Sequence, residues 1–131
     1  MIGLDTNILV RFIAQDHPRQ TTAATKLIDS LSPDVPGYLS LVVIAELIWV
    51  LQFSYRFDER EIEKVIERLL HSKELLLEQK ETVAQALTKF RTSRADFADC
   101  LIDRCPRNAG CQDVLTFDKA AAAAGMKLLS S

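Results

Sequence analysis

Short apolar runs recur along this chain, each followed by a stretch with helical spacing, and this alternation limits the fold more than any other feature. Ile2–Leu4, Tyr38–Leu39, Leu75–Leu77, Asp113–Phe117 and Lys127–Leu129 read as strands. They lack the polar/apolar alternation of a strand with one wet face. Strands covered on both faces, joined by crossover helices, make a parallel sheet.

The intervening segments read as helices. Ile8, Leu9, Phe12 and Ile13 predict one over Thr6–Ala14. Asp16-His-Pro18 marks the next start, with Pro18 where its missing N–H costs nothing, and that helix runs to about Leu31. Ser40 caps a helix from Leu41 to about Tyr55, apolar nearly all round and therefore expected to be buried. Asp58–Ser72 is amphipathic, with Ile62, Val65, Ile66, Leu69 and Leu70 on one stripe. Helices also open at Thr82 and Asp96, the latter carrying Phe97, Cys100 and Leu101 inward, and a short Ala-rich helix follows Asp118. Pro106 removes a bond to the carbonyl of Ile102 and is expected to disturb the helix beyond Cys105. With no linker or internal repeat, residues 1–131 are expected to form a single α/β domain with a central parallel five-stranded sheet flanked by helices.

Composition narrows function by exclusion. A chain that is 48% hydrophobic and 26% charged is no disordered segment, and four Gly and four Pro exclude collagen-like and low-complexity readings. The net charge of −2 rules out a grip on nucleic acid through bulk basicity. Any polyanion must be met by a local basic patch or through bound cations. Cys100, Cys105 and Cys111 fit neither a redox nor a zinc spacing and read as reduced thiols. The N-terminal segment lacks the pattern of a signal peptide, and the most apolar stretch, Leu39–Phe53, holds Glu46 and falls short of a membrane span. A cytoplasmic location is expected.

Most acids belong to a solvated face: Glu59, Glu61, Glu63 and Glu67 interleave with Arg60, Lys64 and Arg68. Others do not. Asp5 and Asp118 each end a strand and precede a helix, at the sheet edge where α/β proteins bind ligands, although each also suits a helix cap. Glu46 has ten apolar neighbours, so it is expected to be buried and paired, protonated or metal-bound. Asp96 and Asp99 share one side of a helix, Asp96 also suiting its cap; Asp103 stands a turn further on, in the same row or simply solvated. Clustered carboxylates repel unless cations neutralise them, and oxygen-only donors suit Mg²⁺ or Mn²⁺. Such a site fits phosphodiester hydrolysis.

Four segments then carry a resemblance: Leu4-Asp-Thr-Asn-Ile-Leu9, Ala45-Glu-Leu-Ile-Trp49, Asp96-Phe-Ala-Asp-Cys-Leu-Ile102 and Gly110-Cys-Gln-Asp-Val-Leu-Thr-Phe-Asp118. Together, in this order, they resemble the PIN-domain family, and more closely the VapC-type toxins of toxin–antitoxin pairs. The resemblance implies a Mg²⁺- or Mn²⁺-dependent ribonuclease, a hydrolase of RNA phosphodiesters. By position, Asp5, Glu46, Asp99 and Asp118 match the family's acids, with Asp96 an additional metal-ligand candidate; Thr6, Asn7 and Thr116 match supporting polar positions. It also implies a homodimer and a VapB-like cognate antitoxin.

A positive rim for RNA is expected from Arg11, Lys89, Arg91, Arg94 and Lys119. Trp49, Phe53, Tyr55 and Phe57 read either as core or as an apolar groove for an antitoxin helix. His17 and His71 read as ordinary helix-end residues. Two rivals remain in the sequence. A phosphotransfer domain fits poorly, because Asp5-Thr-Asn7 is not Asp-x-Asp and Leu75–Leu77 leads to Glu78. A catalytically quiet PIN-fold module that binds nucleic acid or a partner keeps the same acids without turnover.

Overall fold

The computed structural model describes residues 1–130, with seven helices and five strands. The chain folds as two compact units, Met1–Glu78 and Gln79–Ser131.

The first unit is built on a parallel sheet of β1 (Ile2–Gly3), β2 (Gly37–Leu39) and β3 (Leu75–Leu77), with β2 in the middle. Gly37 lets β2 run close to its cover: a Cβ there would stand 2.8 Å from Leu4 and 2.9 Å from Leu31. Helices α1 (Thr6–Ala14), α2 (Pro18–Asp29), α3 (Leu41–Phe53) and α4 (Glu59–His71) make the crossovers. Their starts follow local chemistry. Asp5 caps α1, His17 caps α2 with Pro18 behind it, Ser40 caps α3, and Asp58 with Glu61 forms a reciprocal capping box on α4. All five residues of the α4 stripe are buried, as its periodicity requires. Each such side chain contributes roughly 1.5–3 kcal/mol on transfer from water.

The α3 helix departs from expectation. Ile44, Leu47, Ile48 and Leu51 are buried, but Val42, Trp49 and Phe53 are exposed at 77%, 53% and 54%. Helix α3 therefore has an apolar face open to solvent. With almost no polar residue to mark the outer side, its sequence carries no amphipathic signal to find that face.

In the second unit α5 (Lys80–Thr92) packs on α6 (Phe97–Asn108), and Phe90 meets Phe97 edge-to-face with ring centroids 6.0 Å apart. Two short parallel strands, β4 (Leu115–Thr116) and β5 (Lys127–Leu128), follow with α7 (Lys119–Ala122) between them. The expected five-stranded sheet is thus corrected: hydrogen-bonded ladders join β1–β2–β3 and, separately, β4–β5. β1, β4 and β5 are two residues each, too short for strand patterning to specify which neighbours they pair with.

The expectation at Pro106 is also corrected, since α6 continues through it to Asn108. Pro106 lies in the last turn, so only one helical bond is lost. The carbonyls beyond are taken by Ala109 and Cys111, whose N–H groups reach Cys105 and Pro106. Among the described residues no helix is long and apolar enough to cross a membrane, and all three cysteines are free.

Candidate active site

Asp5 follows β1 by two residues and starts α1, its carboxylate accepting the N–H of Thr6 at 2.7 Å. Thr6 is buried, and its hydroxyl donates to the Glu46 carboxylate on α3. One threonine therefore holds two acids, through its backbone and its side chain. Asn7 beside it is exposed.

Glu46 is exposed, which overturns the expectation of a buried carboxylate. It lies on the uncovered side of α3, where its charge needs no buried partner, and Thr6 fixes its direction. Trp49, one turn along, rests against Phe53 with ring centroids 5.4 Å apart. Tyr55 is not part of that pair: its hydroxyl donates to Asp16 at 2.7 Å, holding that carboxyl below its usual range. Arg11 joins the same network, reaching Asp16 at 3.2 Å and Gln20 at 2.7 Å.

In the second unit the acids lie at the start of α6 and the end of β4. Asp96 has the backbone of a helix cap, but among the described residues its exposed carboxylate makes no side-chain cap bond. Asp99, in the first turn, is only partly exposed. Burial raises its pKa first, and the charges of Asp96 and Asp118 push it the same way. Asp118 caps α7 by accepting from Ala120 at 2.8 Å, while its own N–H donates to the Thr116 hydroxyl at 3.0 Å. Thr116 thus shapes the corner that presents Asp118. Lys89, Arg91, Arg94 and Lys119 are exposed.

The donor chemistry suits a hard divalent cation in kind, since every donor is an oxygen and three separate influences disfavour negative charge on Asp99. Among the described residues, no three His, Cys, Asp or Glu side chains stand close enough together to hold one ion.

A family model for the PIN domain matches residues 2–126. The chain belongs to the PIN-domain family. A 127-residue alignment, 22% identical, relates it to the VapC ribonuclease of Aquifex aeolicus (strain VF5), spanning 97% of this chain and 94% of the relative. No solved structure matches it significantly.

Two features of this PIN domain escaped the sequence reading. Asp103 is neither in the acidic row nor solvated: it is buried, and both its oxygens accept from Arg107 Nε at 3.0 Å. The four-residue spacing of an acid and an arginine on one helix was the available signal. In the first unit, a cavity of about 500 Å³ opens among Leu9, Phe12 and Ile13 of α1, Ile28 of α2, and Val65 and Leu69 of α4, with Asp29, Arg68, His71 and Glu74 also in its lining. Periodicity marked the apolar positions as core and gave no sign that a groove remained among them.

Proposed function

We propose that this PIN domain is a metal-dependent endoribonuclease, the toxin of a toxin–antitoxin pair. The reading rests on the PIN-domain match across residues 2–126 together with Asp99, where burial and the carboxylates of Asp96 and Asp118 act together against negative charge. A cation relieves that repulsion. Family membership and the relative named VapC ribonuclease support the substrate class.

Asp5, Glu46, Asp99 and Asp118 are the acids of the reaction, with Asp96 as a further metal-side carboxylate. When bound, Mg²⁺ or Mn²⁺ supplies a water of lowered pKa and a clamp on phosphate oxygens. The protein's own part is orientation. Thr6 fixes Asp5 and Glu46 through two bonds, and Thr116 sets the turn bearing Asp118. Preset carboxylates lose little freedom when a cation and phosphate arrive. Exposed Lys89, Arg91, Arg94 and Lys119 offer charge to the RNA backbone. Arg11 enters this reading through the Asp16 network that fixes it.

The cavity lined by α1, α2 and α4 supports the partner half of the reading, since an amphipathic antitoxin helix would bury its apolar face against Leu9, Phe12 and Ile13 there. The protein is read as a cytoplasmic homodimer on the same family grounds. The test is cleavage of single-stranded RNA by the full chain in Mg²⁺ or Mn²⁺. Glu46→Gln is expected to stay folded and lose cutting. Full cutting by that variant contradicts the role of Glu46, and a folded wild type that binds RNA without cutting it establishes the quiet binding module instead.

A further inference from the structure

A second cavity, of about 350 Å³, lies within the second unit, lined by Gln85 and Lys89 of α5, Cys100, Asp103, Arg104 and Arg107 of α6, and the Ala124–Gly125 turn. Its charges do not balance. Three cations face one carboxylate, in a chain whose net charge is −2. Asp103 and Arg107 account for each other: Arg107 spends Nε on both Asp103 oxygens, and each of its terminal nitrogens donates to one carbonyl, that of Gln112 at 2.8 Å and that of Gly125 at 3.0 Å. Lys89 and Arg104 are left as the unmatched charge of the cavity.

Arg104 carries the second observation. Its Nε is buried and, among the described residues, has no hydrogen-bond partner. A buried donor on a charged group is costly to leave unmade, and a water, or an oxyanion held by the same guanidinium, would complete the structure there. Cys100 adds an uncharged wall, because burial pushes its thiol up. A guanidinium fork and an ammonium, brought together from two helices, match an oxyanion with several acceptor oxygens.

We propose that this cavity binds a phosphate group, the phosphodiester of the RNA strand, through Lys89 and Arg104. The oxyanion chemistry stands on the cavity alone; the RNA source rests on the ribonuclease reading. Such a contact serves affinity and register rather than bond cleavage.

The test follows the Arg104 Nε–H signal of the full-length protein by NMR. It is titrated first with inorganic phosphate against a chloride control of equal ionic strength, and then with a single-stranded oligoribonucleotide in EDTA, so that no cutting intervenes. Phosphate is expected to move the signal saturably, and Lys89→Gln to weaken that binding about tenfold. Lys89→Gln and Arg104→Gln, checked for folding by circular dichroism, should each weaken oligonucleotide binding and flatten its salt dependence by about 0.7 in the log–log slope. Lys89 is exposed, so its variant keeps the test valid if Arg104→Gln does not fold. No phosphate response in the folded wild type overturns the site. A phosphate response without oligonucleotide binding upholds the oxyanion site and overturns RNA as its source. Oligonucleotide binding with slopes unchanged in both variants overturns the cavity's role while leaving the ribonuclease reading intact.

Discussion

The hydroxyl of Thr6 donates to the carboxylate of Glu46, forty residues away in sequence, while the N–H of the same residue donates to Asp5 at 2.7 Å. Two acids that the sequence separates by two helices and a strand are thereby held by one buried side chain and its backbone.

Thr6→Val keeps the shape of that residue and its backbone bond to Asp5 but removes the donor to Glu46. Cleavage should fall about tenfold to hundredfold, the worth of one hydrogen bond to a charged group. Thermal unfolding should show a loss of only about 1 kcal/mol, because Glu46 is exposed and water replaces the bond. Thr6→Ser restores the donor and should recover most activity. A Thr6→Val protein with wild-type kinetics would remove Thr6 from the site.

Asp99 makes the metal-free protein sensitive to pH in a defined direction. Burial first, then Asp96 and Asp118, raise its pKa, so the folded state holds the proton more tightly than the unfolded chain does. Stability from this group is fully present below the ordinary carboxylate range and is lost as pH rises through the raised folded value. Asp99→Asn should therefore raise the melting temperature of the metal-free protein at neutral pH, flatten its decline as pH rises above the ordinary carboxylate range, and abolish cleavage. The measurement is a set of thermal melts across that range in EDTA. A lower melting temperature for a correctly folded variant would contradict this electrostatic account.

The Asp103–Arg107 pair is structural, and its removal should be read in stability. Arg107→Ala leaves a carboxylate with 11% side-chain exposure unpaired, at a cost of about 2–3 kcal/mol, discounted from a fully buried pair because Arg107 is 27% exposed. Gly125→Ala should also destabilise: its φ is +117°, and a Cβ would stand 3.0 Å from an Asp103 oxygen. Urea denaturation measures both. An Arg107→Ala protein as stable as wild type would show that water satisfies Asp103 instead.

Much of this architecture was legible where one physical signal acted alone. Thr6–Ala14 and the stripe on α4 follow from spacing and caps, and both stand as expected. Glu46 shows where the reasoning failed. An apolar surrounding in sequence is not a buried surrounding in space, because α3 leaves Val42, Trp49 and Phe53 exposed. No polar face marked the boundary. Short strands failed differently, since Leu115–Thr116 and Lys127–Leu128 were visible as strands while their sheet partners were not. The position of Asp96 at a helix cap was legible, but not that its side chain would make no cap bond. The Arg104 cavity carried no signal in sequence, where a helical arginine beside a cysteine reads as solvated surface.

The most direct measurement is cleavage of single-stranded RNA by purified full-length protein in Mn²⁺ or Mg²⁺, beside an EDTA control and the Asp5→Asn and Asp99→Asn variants. The expected result is cutting that needs the metal and disappears in both variants while each stays folded. Cutting that survives EDTA or either substitution would contradict the claim that these carboxylates, with a divalent cation, perform the reaction.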